Sequence, residues 1–375
     1  MSDVLTKHDT PKAPERVRRL PSPRLYVWIA GLVLLLALPF YLERFWLQAG
    51  LFAMAAAIGA IGLNLLTGST GQLSMGHAFF LAVGAYAYCA FAGNGDDELT
   101  GLGLPTWLAA VLAVGVAGVA GGLFSPIAGR LRGAYLGIAT LALIFIGQHV
   151  LFNAHDLTGG FNGRAVPPME FFGLSFDDSE LLVAAVPFGA SEKLWYLGLA
   201  LLVAGGLFAR GVLRGRPGRA MNAIRDHQIA AGVMGVPVAR YRAAVFVLSS
   251  MYAGLAGVLL ALVFQRTVPE YFGMVLSLEY LAMIVIGGLG SVSGAVVGAV
   301  FVSLLPQILT RYSDSLPLVS EAGTGGVSPG EAAKYLYGAA LVAVVLFLPG
   351  GLVRLFARRP KSPAPQPSGT EGNDR

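Results

Sequence analysis

The stretch 276-LSLEYLAMIVIGGLGSVSGAVVGAVFVSLLPQIL-309 decides the fold, because it is predominantly apolar yet too long for one comfortable membrane helix. About 20 residues are enough to cross the hydrocarbon core of a bilayer. The glycine-rich sequence GGLGSVSG at 287–294 can turn the chain back, since glycine readily ends a helix. The stretch therefore predicts two short membrane spans, and a re-entrant hairpin at the same place stays open as an alternative.

The rest of the chain has the same apolar character. Of its 375 residues, 55% are hydrophobic and 13% are charged, whereas about a quarter of the residues of a soluble domain are charged. Backbone exposed to lipid must satisfy its own hydrogen bonds, so continuous apolar runs are helices. The sequence predicts an all-α polytopic membrane protein with about ten transmembrane helices, the others lying near 25–42, 46–66, 78–93, 106–129, 134–152, 194–213, 243–265 and 335–353.

The distribution of charge predicts the orientation of these spans. Lysine and arginine collect in cytoplasmic loops, and a ten-span topology with both termini in the cytoplasm puts most of the 26 basic residues inside. The acidic clusters at 96–98 and 177–180 then lie outside. This topology makes 153–193 a periplasmic loop and 214–242 a cytoplasmic one.

Composition also sets the domain boundaries. Residues 1–24 form a basic cytoplasmic tail, residues 25–356 the transmembrane domain, and residues 357–375 a disordered C-terminal tail rich in Pro, Ser and Gly. Two small-residue patterns, Gly118 with Gly122 and Gly294 with Gly298, are typical of close packing between membrane helices. The single cysteine, Cys89, lies in an apolar run and is expected to pack there.

Enzyme signatures are missing from the sequence. It contains no H-E-x-x-H, no G-x-S-x-G and no P-loop G-x-x-x-x-G-K-[ST], and none of its lysines follows a glycine. Its five histidines do not have the spacing of metal ligands. The predicted spans also hold almost no carboxylates, which mark proton-coupled carriers, apart from Glu279 near a span entrance. The chain has the features of a transport pathway without its own power source, and a stand-alone secondary carrier stays open.

The segment 218-GRAMNAIRDHQIAAGVMGVPVARYR-242 is conspicuously basic among apolar neighbours. Apolar residues at 220, 223, 224, 231 and 234 have helical spacing, and Gly235 followed by Pro237 is a typical helix end. The pattern predicts one short amphipathic helix over 219–235. The residues alone leave two roles open, docking in a groove of a partner protein or lying on anionic membrane lipid.

Three short polar stretches are candidate sites, and each has an alternative interpretation. In 67-TGSTGQLSMGH-77 the polar groups either line a translocation path or form a tight turn that caps the next helix. Asn64 either faces the path or hydrogen-bonds a neighbouring helix. The stretch GGFNG at 159–163 is either an outer gate or docking surface, or a plain glycine turn. The candidate residues are Asn64, Thr70, Gln72, Ser74 and His77 for the path, and Gly159, Gly160 and Asn162 for the outer site.

Four stretches together resemble a known family. The sequence IRDHQIAAGVMGVPVARYR at 224–242 resembles the characteristic cytoplasmic loop of LivM-type permease subunits of branched-chain amino-acid ABC importers. The stretches 62-GLNLLTGSTGQLSMGHAFFLAVGAYAY-88, 156-DLTGGFNG-163 and 286-IGGLGSVSGAVVGA-299 resemble the family's other motifs, in the same order and with compatible spacing. The permease subunit of urea-type importers is similar to the same pattern.

This resemblance implies a role and a set of partners. In such an importer, located in the inner membrane of a bacterium, a homologous second permease subunit completes the channel. Two ATPase subunits bind ATP and Mg, and a periplasmic binding protein delivers the substrate, so this chain binds no cofactor, metal or nucleic acid. The implied solute is a branched-chain or other hydrophobic amino acid, with urea or a short amide as the alternative. The implied ATPase-coupling residues are Arg219, Arg225, Asp226, Gln228, Ala230, Ala231 and Gly235, where Gln228 stands in place of an often expected glutamate.

Overall fold

A computed structural model describes residues 23–96, 99–131, 133–171, 173–176, 181–183, 186–312, 328–347 and 351–352. The predicted basic tail 1–24, apart from its last two residues, and the predicted disordered tail 357–375 lie outside the described residues. Most of the acidic residues that entered the prediction of orientation also lie outside them.

Helices make up most of the described structure. They are α1 (Pro23–Ala37), α2 (Arg44–Thr70), α3 (His77–Ala92), α4 (Thr106–Arg130), α5 (Ala134–Asn153), α6 (His155–Thr158), α7 (Ala190–Arg214), α8 (Arg216–Asp226), α9 (Gln228–Val233), α10 (Val238–Phe264), α11 (Met274–Gly287), α12 (Val292–Arg311) and α13 (Pro329–Phe347). Single 3₁₀ turns cover Leu38–Phe40, Gly160–Asn162 and Pro269–Phe272.

Six of the described helices, α2, α4, α5, α7, α10 and α12, are long and apolar enough to cross a membrane. Four shorter apolar helical stretches, Ala30–Phe40, α3, α11 and Lys334–Val344, lie at the remaining predicted spans. The mostly helical, polytopic membrane architecture predicted from the sequence is therefore confirmed.

Two compact units divide the chain, residues 1–41 and residues 42–375. The described part of the first unit is α1 followed by the 3₁₀ turn at Leu38–Phe40, in which Pro39 occupies an early position that needs no N–H donor. All the sites described below belong to the second unit.

Helix α2 lies at the centre of the second unit. Its side chains are buried on all sides from Leu47 to Thr70 with few exceptions, and α7, α10, α11 and α12 pack around it. Helix α10 in turn packs against α3 and α4. At the α3–α10 contact a Cβ on Gly84 would meet the backbone of Gly254, and one on Gly257 would meet the carbonyl of Leu81. Glycine here allows the two backbones to approach closely, which is a common packing mode in membranes.

The decisive stretch does turn back. Helix α11 ends at Gly287 and α12 begins at Val292, with Gly288 (φ 122°) and Gly290 (φ 79°) in backbone conformations that favour glycine. The Ser291 side chain accepts a hydrogen bond from the N–H of Gly294 (3.2 Å) and caps α12. Two separate helices replace one long span, as the sequence predicted.

The predicted small-residue patterns both lie at helix contacts. On α12, a Cβ at Gly294 or Gly298 would meet the backbone of α11 at Gly287 or Met283. On α4, a Cβ on Gly118 would lie 2.8 Å from the Met251 side chain, whereas the nearest neighbour of a Cβ on Gly122 would be Val247 at 3.7 Å. The first pattern joins backbones, so it tolerates a larger side chain less than the second.

Short antiparallel strands organise the connections between the helices. Between α3 and α4, β1 (Asn94–Asp96) pairs with β2 (Leu99–Leu102). In the residues that the structure describes, the connection from α5 to α7 contains α6 and five strands. The first of these pairs with Arg266–Thr267 beyond α10, so this loop is tied to the end of α10. The strands of this connection and their partner are β3 (Arg164–Ala165), β4 (Glu170–Phe171), β5 (Leu174–Ser175), β6 (Leu181–Val183), β7 (Val186–Phe188) and β8 (Arg266–Thr267).

Candidate translocation and coupling site

Asn64 joins α2 to the turn between α11 and α12. Its Nδ2 donates to the carbonyl of Ser291 at 2.7 Å, and the N–H of Gly290 donates to its Oδ1 at 2.8 Å. The residue is 3% exposed. Two interpretations of Asn64 were open, a path residue and an interhelical hydrogen bond. The structure contains the hydrogen bond, since both the nitrogen and the oxygen of its amide are bonded to the turn between α11 and α12.

Arg225 brings the basic segment to the same place. Its Nη1 donates to the carbonyl of Gly68 near the end of α2 (2.9 Å), and its Nε donates to the Asp226 carboxylate (3.0 Å). Gly68 itself lies against the Asn64 amide and the backbone of Gly290. Three of the four family-like stretches, near residues 68, 225 and 290, therefore meet at one end of α2.

The polar residues after α2 are buried and hydrogen-bonded within the chain. Thr70 donates to the carbonyl of Leu66 (2.7 Å), and Gln72 Nε2 donates to Thr70 Oγ1 (2.9 Å) and to the carbonyl of Arg242 (3.3 Å). Ser74 is 2% exposed. Among the described residues, Gln72 Oε1 is the one side-chain atom of this stretch that is buried without a partner. The stretch is a packed connection whose side chains bond mainly to α2 and to the start of α10.

His77 begins α3 and joins it to two other helices. Its Nε2 lies 3.0 Å from the carbonyl of Gly59, and because a carbonyl only accepts, the ring nitrogen donates. The His77 ring also contacts the Tyr280 ring edge-on at 5.0 Å between centroids, and the N–H of Ala78 donates to Ser277 Oγ at 2.9 Å. Each of the five residues that the sequence proposed as path residues is at most 5% exposed.

The basic segment contains two helices rather than one. The prediction of a single helix over 219–235 is wrong, because α8 ends at Asp226 and α9 begins at Gln228. Between them His227 has an extended backbone (φ −148°, ψ 87°). Asp and His have low helix propensity, and the carboxylate of Asp226 is held by the preceding arginine. Periodicity could not detect a break of one residue that leaves the apolar spacing unchanged.

Helix α9 exposes large apolar side chains. Ile229, Val233 and Met234 are 80%, 82% and 83% exposed, and Ala230 beside them is also exposed. We call these four residues the α9 patch. Exposed apolar clusters in a polar setting mark interaction surfaces. The sequence reasoning omitted Ile229 and Val233, although their spacing of four residues places them on the same helical face.

The other proposed coupling residues divide between surface and interior. Gly235 is exposed with a positive φ (83°) and ends this segment, and Gln228 is half-buried. Ala231, by contrast, is 4% exposed. A large residue at this position would disturb the chain's own packing before it reached a partner, so Ala231 is a poor position for testing docking.

The arginines of the segment have different surroundings. Arg242 is 5% exposed, and its guanidinium donates to the carbonyls of Gly129 (3.3 Å) and Leu131 (3.0 Å) at the end of α4. A cation at a helix C-terminus satisfies carbonyls that lack helix partners. Arg219 is exposed and donates to the carbonyl of Gly215 (3.5 Å). The basic character of the segment is therefore partly structural, a role of Arg242 that the sequence reasoning missed.

The stretch at 156–163 lies in the α5–α7 connection. Gly159, Gly160 and Gly163 have positive φ angles (73°, 56° and 65°), so glycine is required for this turn. The Arg266 side chain donates to the carbonyl of Asn162 at 3.0 Å and fastens the turn to β8. Phe161 at its tip is 70% exposed. The geometry is that of a glycine turn that presents an aromatic side chain.

Apolar helices around a central helix, joined at one end to a short helical pair with exposed apolar residues, make up a polytopic membrane protein. The family model described as branched-chain amino acid transport system / permease component matches residues 47–345, and the chain belongs to this family. It is a permease subunit of an ABC importer, and the resemblance to LivM-type subunits seen in the sequence is confirmed.

Several curated proteins are similar to the chain. It is 32% identical over 298 residues to the high-affinity branched-chain amino acid transport system permease protein LivM of Salmonella typhimurium, covering 76% of this chain and 68% of that protein. The protein of the same name from Escherichia coli (strain K12) is 31% identical over the same shares. LivH of Escherichia coli (strain K12), also described as a permease protein of such a system, is 26% identical over 263 residues, covering 68% of this chain and 82% of LivH.

Proposed function

We propose that this permease subunit carries branched-chain or other hydrophobic amino acids across the inner membrane of a bacterium. The names of its relatives support this class of solute. The apolar residues that dominate the chain suit a small neutral or zwitterionic solute better than an ion.

Ten spans, with both termini in the cytoplasm, are the proposed topology. The ten apolar helical stretches at the predicted positions and the distribution of lysine and arginine support it. The loop 153–193 then faces the periplasm, where the turn with Gly159, Gly160 and Asn162 meets the binding protein. The loop 214–242 faces the cytoplasm.

The α9 patch is the observation that carries the proposed coupling to ATP hydrolysis. Burying a large apolar side chain stabilises a complex by about 1.5–3 kcal/mol. Three such side chains are exposed on α9 and at its C-terminal end, and together they fit a protein groove. We assign this groove to one of two ATPase subunits, which bind ATP and Mg. The second ATPase subunit engages a homologous second permease subunit.

The contacts of Arg225 give a route for movement from this docking helix into the membrane. A shift of α8 and α9 acts on the carbonyl of Gly68 through the guanidinium, and Gly68 adjoins Asn64 and the turn at Gly290. Closure of the ATPase pair thereby displaces the end of α2 and the start of α12 together. Alternating access follows if the ATP-bound partner binds one of the two arrangements more tightly.

Substitution of Val233 by Asp tests this coupling. Val233 is 82% exposed, so the change leaves the chain's own core intact but puts a charge in the docking surface. We expect the chain to reach the membrane at the normal level, to lose the ATPase on purification in mild detergent, and to lose most leucine uptake. Leu102→Asp is the control, since Leu102 is 65% exposed on the far hairpin β1–β2.

The outcomes separate the docking role from its alternatives. Retention of the ATPase and of uptake in the Val233→Asp variant would show that α9 rests on lipid instead. Uptake of urea without leucine uptake by the unaltered importer would assign a different solute to the same machinery. Solute movement by the purified chain alone, without ATP, would show that the chain is a stand-alone secondary carrier.

A further inference from the structure

A cavity of about 240 Å³ lies beside α2, away from the polar end where the family-like stretches meet. Helices α2, α10, α11 and α12 and the 3₁₀ turn at Pro269–Phe272 form its walls. Small-molecule sites typically measure about 300–1,000 Å³, so this volume suits a small solute. The cavity lies about halfway along α11, because Glu279 and Tyr280 both line it.

Aromatic rings form the apolar wall of the cavity. Phe264 stacks on Tyr271 with 4.5 Å between centroids, and Phe52 packs on Phe264 from α2 at 4.9 Å. Leu276 and Met283 extend the same lining along α11. This surface can hold an aliphatic side chain without any polar group having to be dehydrated there.

Polar groups meet the apolar wall on α11 and α12. Glu279 is a half-buried carboxylate on an apolar helix, and such residues in membrane segments usually belong to functional sites. Ser303 and Gln307 face the same cavity from α12. Pro306 has no N–H to bond the carbonyl of Val302, and both residues line the cavity, so α12 offers an acceptor that lacks its usual helix donor.

Tyr280 closes the cavity towards α2. It is 1% exposed and lines the cavity. A Cβ on Gly59 would come within 2.6 Å of its ring and within 2.9 Å of its buried hydroxyl, so the hydroxyl packs on α2 and a solute in the cavity meets the ring.

We propose that this cavity is a transient binding site for a zwitterionic amino acid with an aliphatic side chain, in which Glu279 receives the ammonium group. The side chain lies on the wall of Phe52, Phe264 and Tyr271, and the amide of Gln307, which also lines the cavity, donates to the carboxylate. This assignment rests on the proposed amino-acid transport. It moves solute recognition away from Asn64, Thr70, Gln72 and His77, whose side chains bond within the chain.

Glu279→Gln in the complete importer tests the charge, because it keeps the shape of the side chain. With ATPase and binding protein present in proteoliposomes, we expect leucine uptake to fall roughly tenfold or more, as for other buried charge pairs that lose one partner. Assembly of the complex and its basal ATP hydrolysis should persist. Glu43→Gln is the matched control, since the Glu43 side chain is 72% exposed and lies outside the cavity, and its uptake should stay normal.

A labelling experiment reports on the site without depending on transport. Ser303→Cys places a thiol in the cavity wall, while the native Cys89 is fully buried and should react slowly. We expect a cationic methanethiosulfonate to modify position 303, leucine to slow this reaction, and Glu279→Gln to remove the protection. This measurement remains decisive even if the Glu279→Gln importer assembles poorly. Protection of position 303 by leucine is measured first in the Ser303→Cys chain, which keeps the native Glu279.

The results distinguish failure of this site from failure of the proposed function. An unaltered importer that carries no hydrophobic amino acid with ATP would overturn the proposed solute and this site with it. Leucine uptake that is normal in both Glu279→Gln and Glu43→Gln, or labelling at 303 that leucine does not slow, would overturn the site alone.

Discussion

Replacement of Asn64 by Ala should destabilise the bundle. It removes the two hydrogen bonds to Gly290 and Ser291; the Asn64 side chain is buried, whereas Gly290 is exposed and Ser291 is half-buried, so water can reach the two backbone groups left without these partners. A lost intramolecular hydrogen bond costs about 0.5–1.5 kcal/mol. Membrane helix pairs average about 0.6 kcal/mol per bond, so the combined loss of the two bonds should be about 1–3 kcal/mol.

Thermal aggregation in mild detergent measures this loss. A change of 1 kcal/mol moves the midpoint of a medium-sized domain by roughly 2–4 °C, so we expect the Asn64→Ala chain to aggregate about 2–12 °C earlier. Asn64→Asp keeps the acceptor for Gly290 but loses the donor to Ser291, so its midpoint should lie between those of the unaltered chain and the Asn64→Ala variant.

Ser69→Ala is the matched control on the same helix. The Ser69 hydroxyl donates to the carbonyl of Leu65 within α2 and contacts the Met221 sulfur at 3.5 Å, so its removal orphans no backbone group of another helix. Equal midpoints for Asn64→Ala and Ser69→Ala would refute the stabilising role of the Asn64 hydrogen bonds to the turn between α11 and α12. Loss of leucine uptake at unchanged stability would instead make Asn64 a solute contact.

Two further changes probe the α11–α12 hairpin. Gly298→Leu should prevent a folded chain from accumulating in the membrane, since even a Cβ there would meet the carbonyl of Met283. Gly122→Leu should be tolerated far better, because the nearest neighbour of a Cβ at that position lies 3.7 Å away. Equal membrane levels of the two variants would contradict this packing. A reporter inserted at residue 320 should be active only outside the cytoplasm, and cytoplasmic activity there would mean that 276–309 crosses the membrane once.

The positions of the apolar helices could be predicted because they depend on local composition. Runs of apolar residues must be helical in lipid, and Gly288 and Gly290 supply positive φ angles where the chain reverses. Both properties are visible in a short window of sequence. The same holds for the close approach of Gly294 and Gly298 to α11, which small residues at that spacing predict.

The polar contacts could not be predicted because their partners are distant in sequence. Asn64 bonds to Ser291, 227 residues away, and Arg225 to Gly68, 157 residues away. A hydroxyl or amide in an apolar run signals that some partner exists, but composition does not say which one. For the same reason the burial of Ala231 and the exposure of Ile229 required the structure.

The break at His227 has a different origin. One extended residue between two helices leaves the apolar spacing of 221, 224 and 231 unchanged, so the periodicity of one continuous helix and that of two short ones coincide. Low propensity at 226 and 227 is a weak signal that tertiary contacts commonly override. The sequence therefore predicted the existence of the amphipathic segment but not its shape.

The central position of α2 has a consequence for how the chain is made. Ribosomes deliver α2 before α7, α10, α11 and α12, yet those later helices cover it. During synthesis Asn64 enters the bilayer before its hydrogen-bond partners Gly290 and Ser291, which are synthesised more than two hundred residues later. Chains that stop before α12 should thus display an amide unmatched in lipid, the kind of feature by which membrane quality control separates unfinished proteins from complete ones.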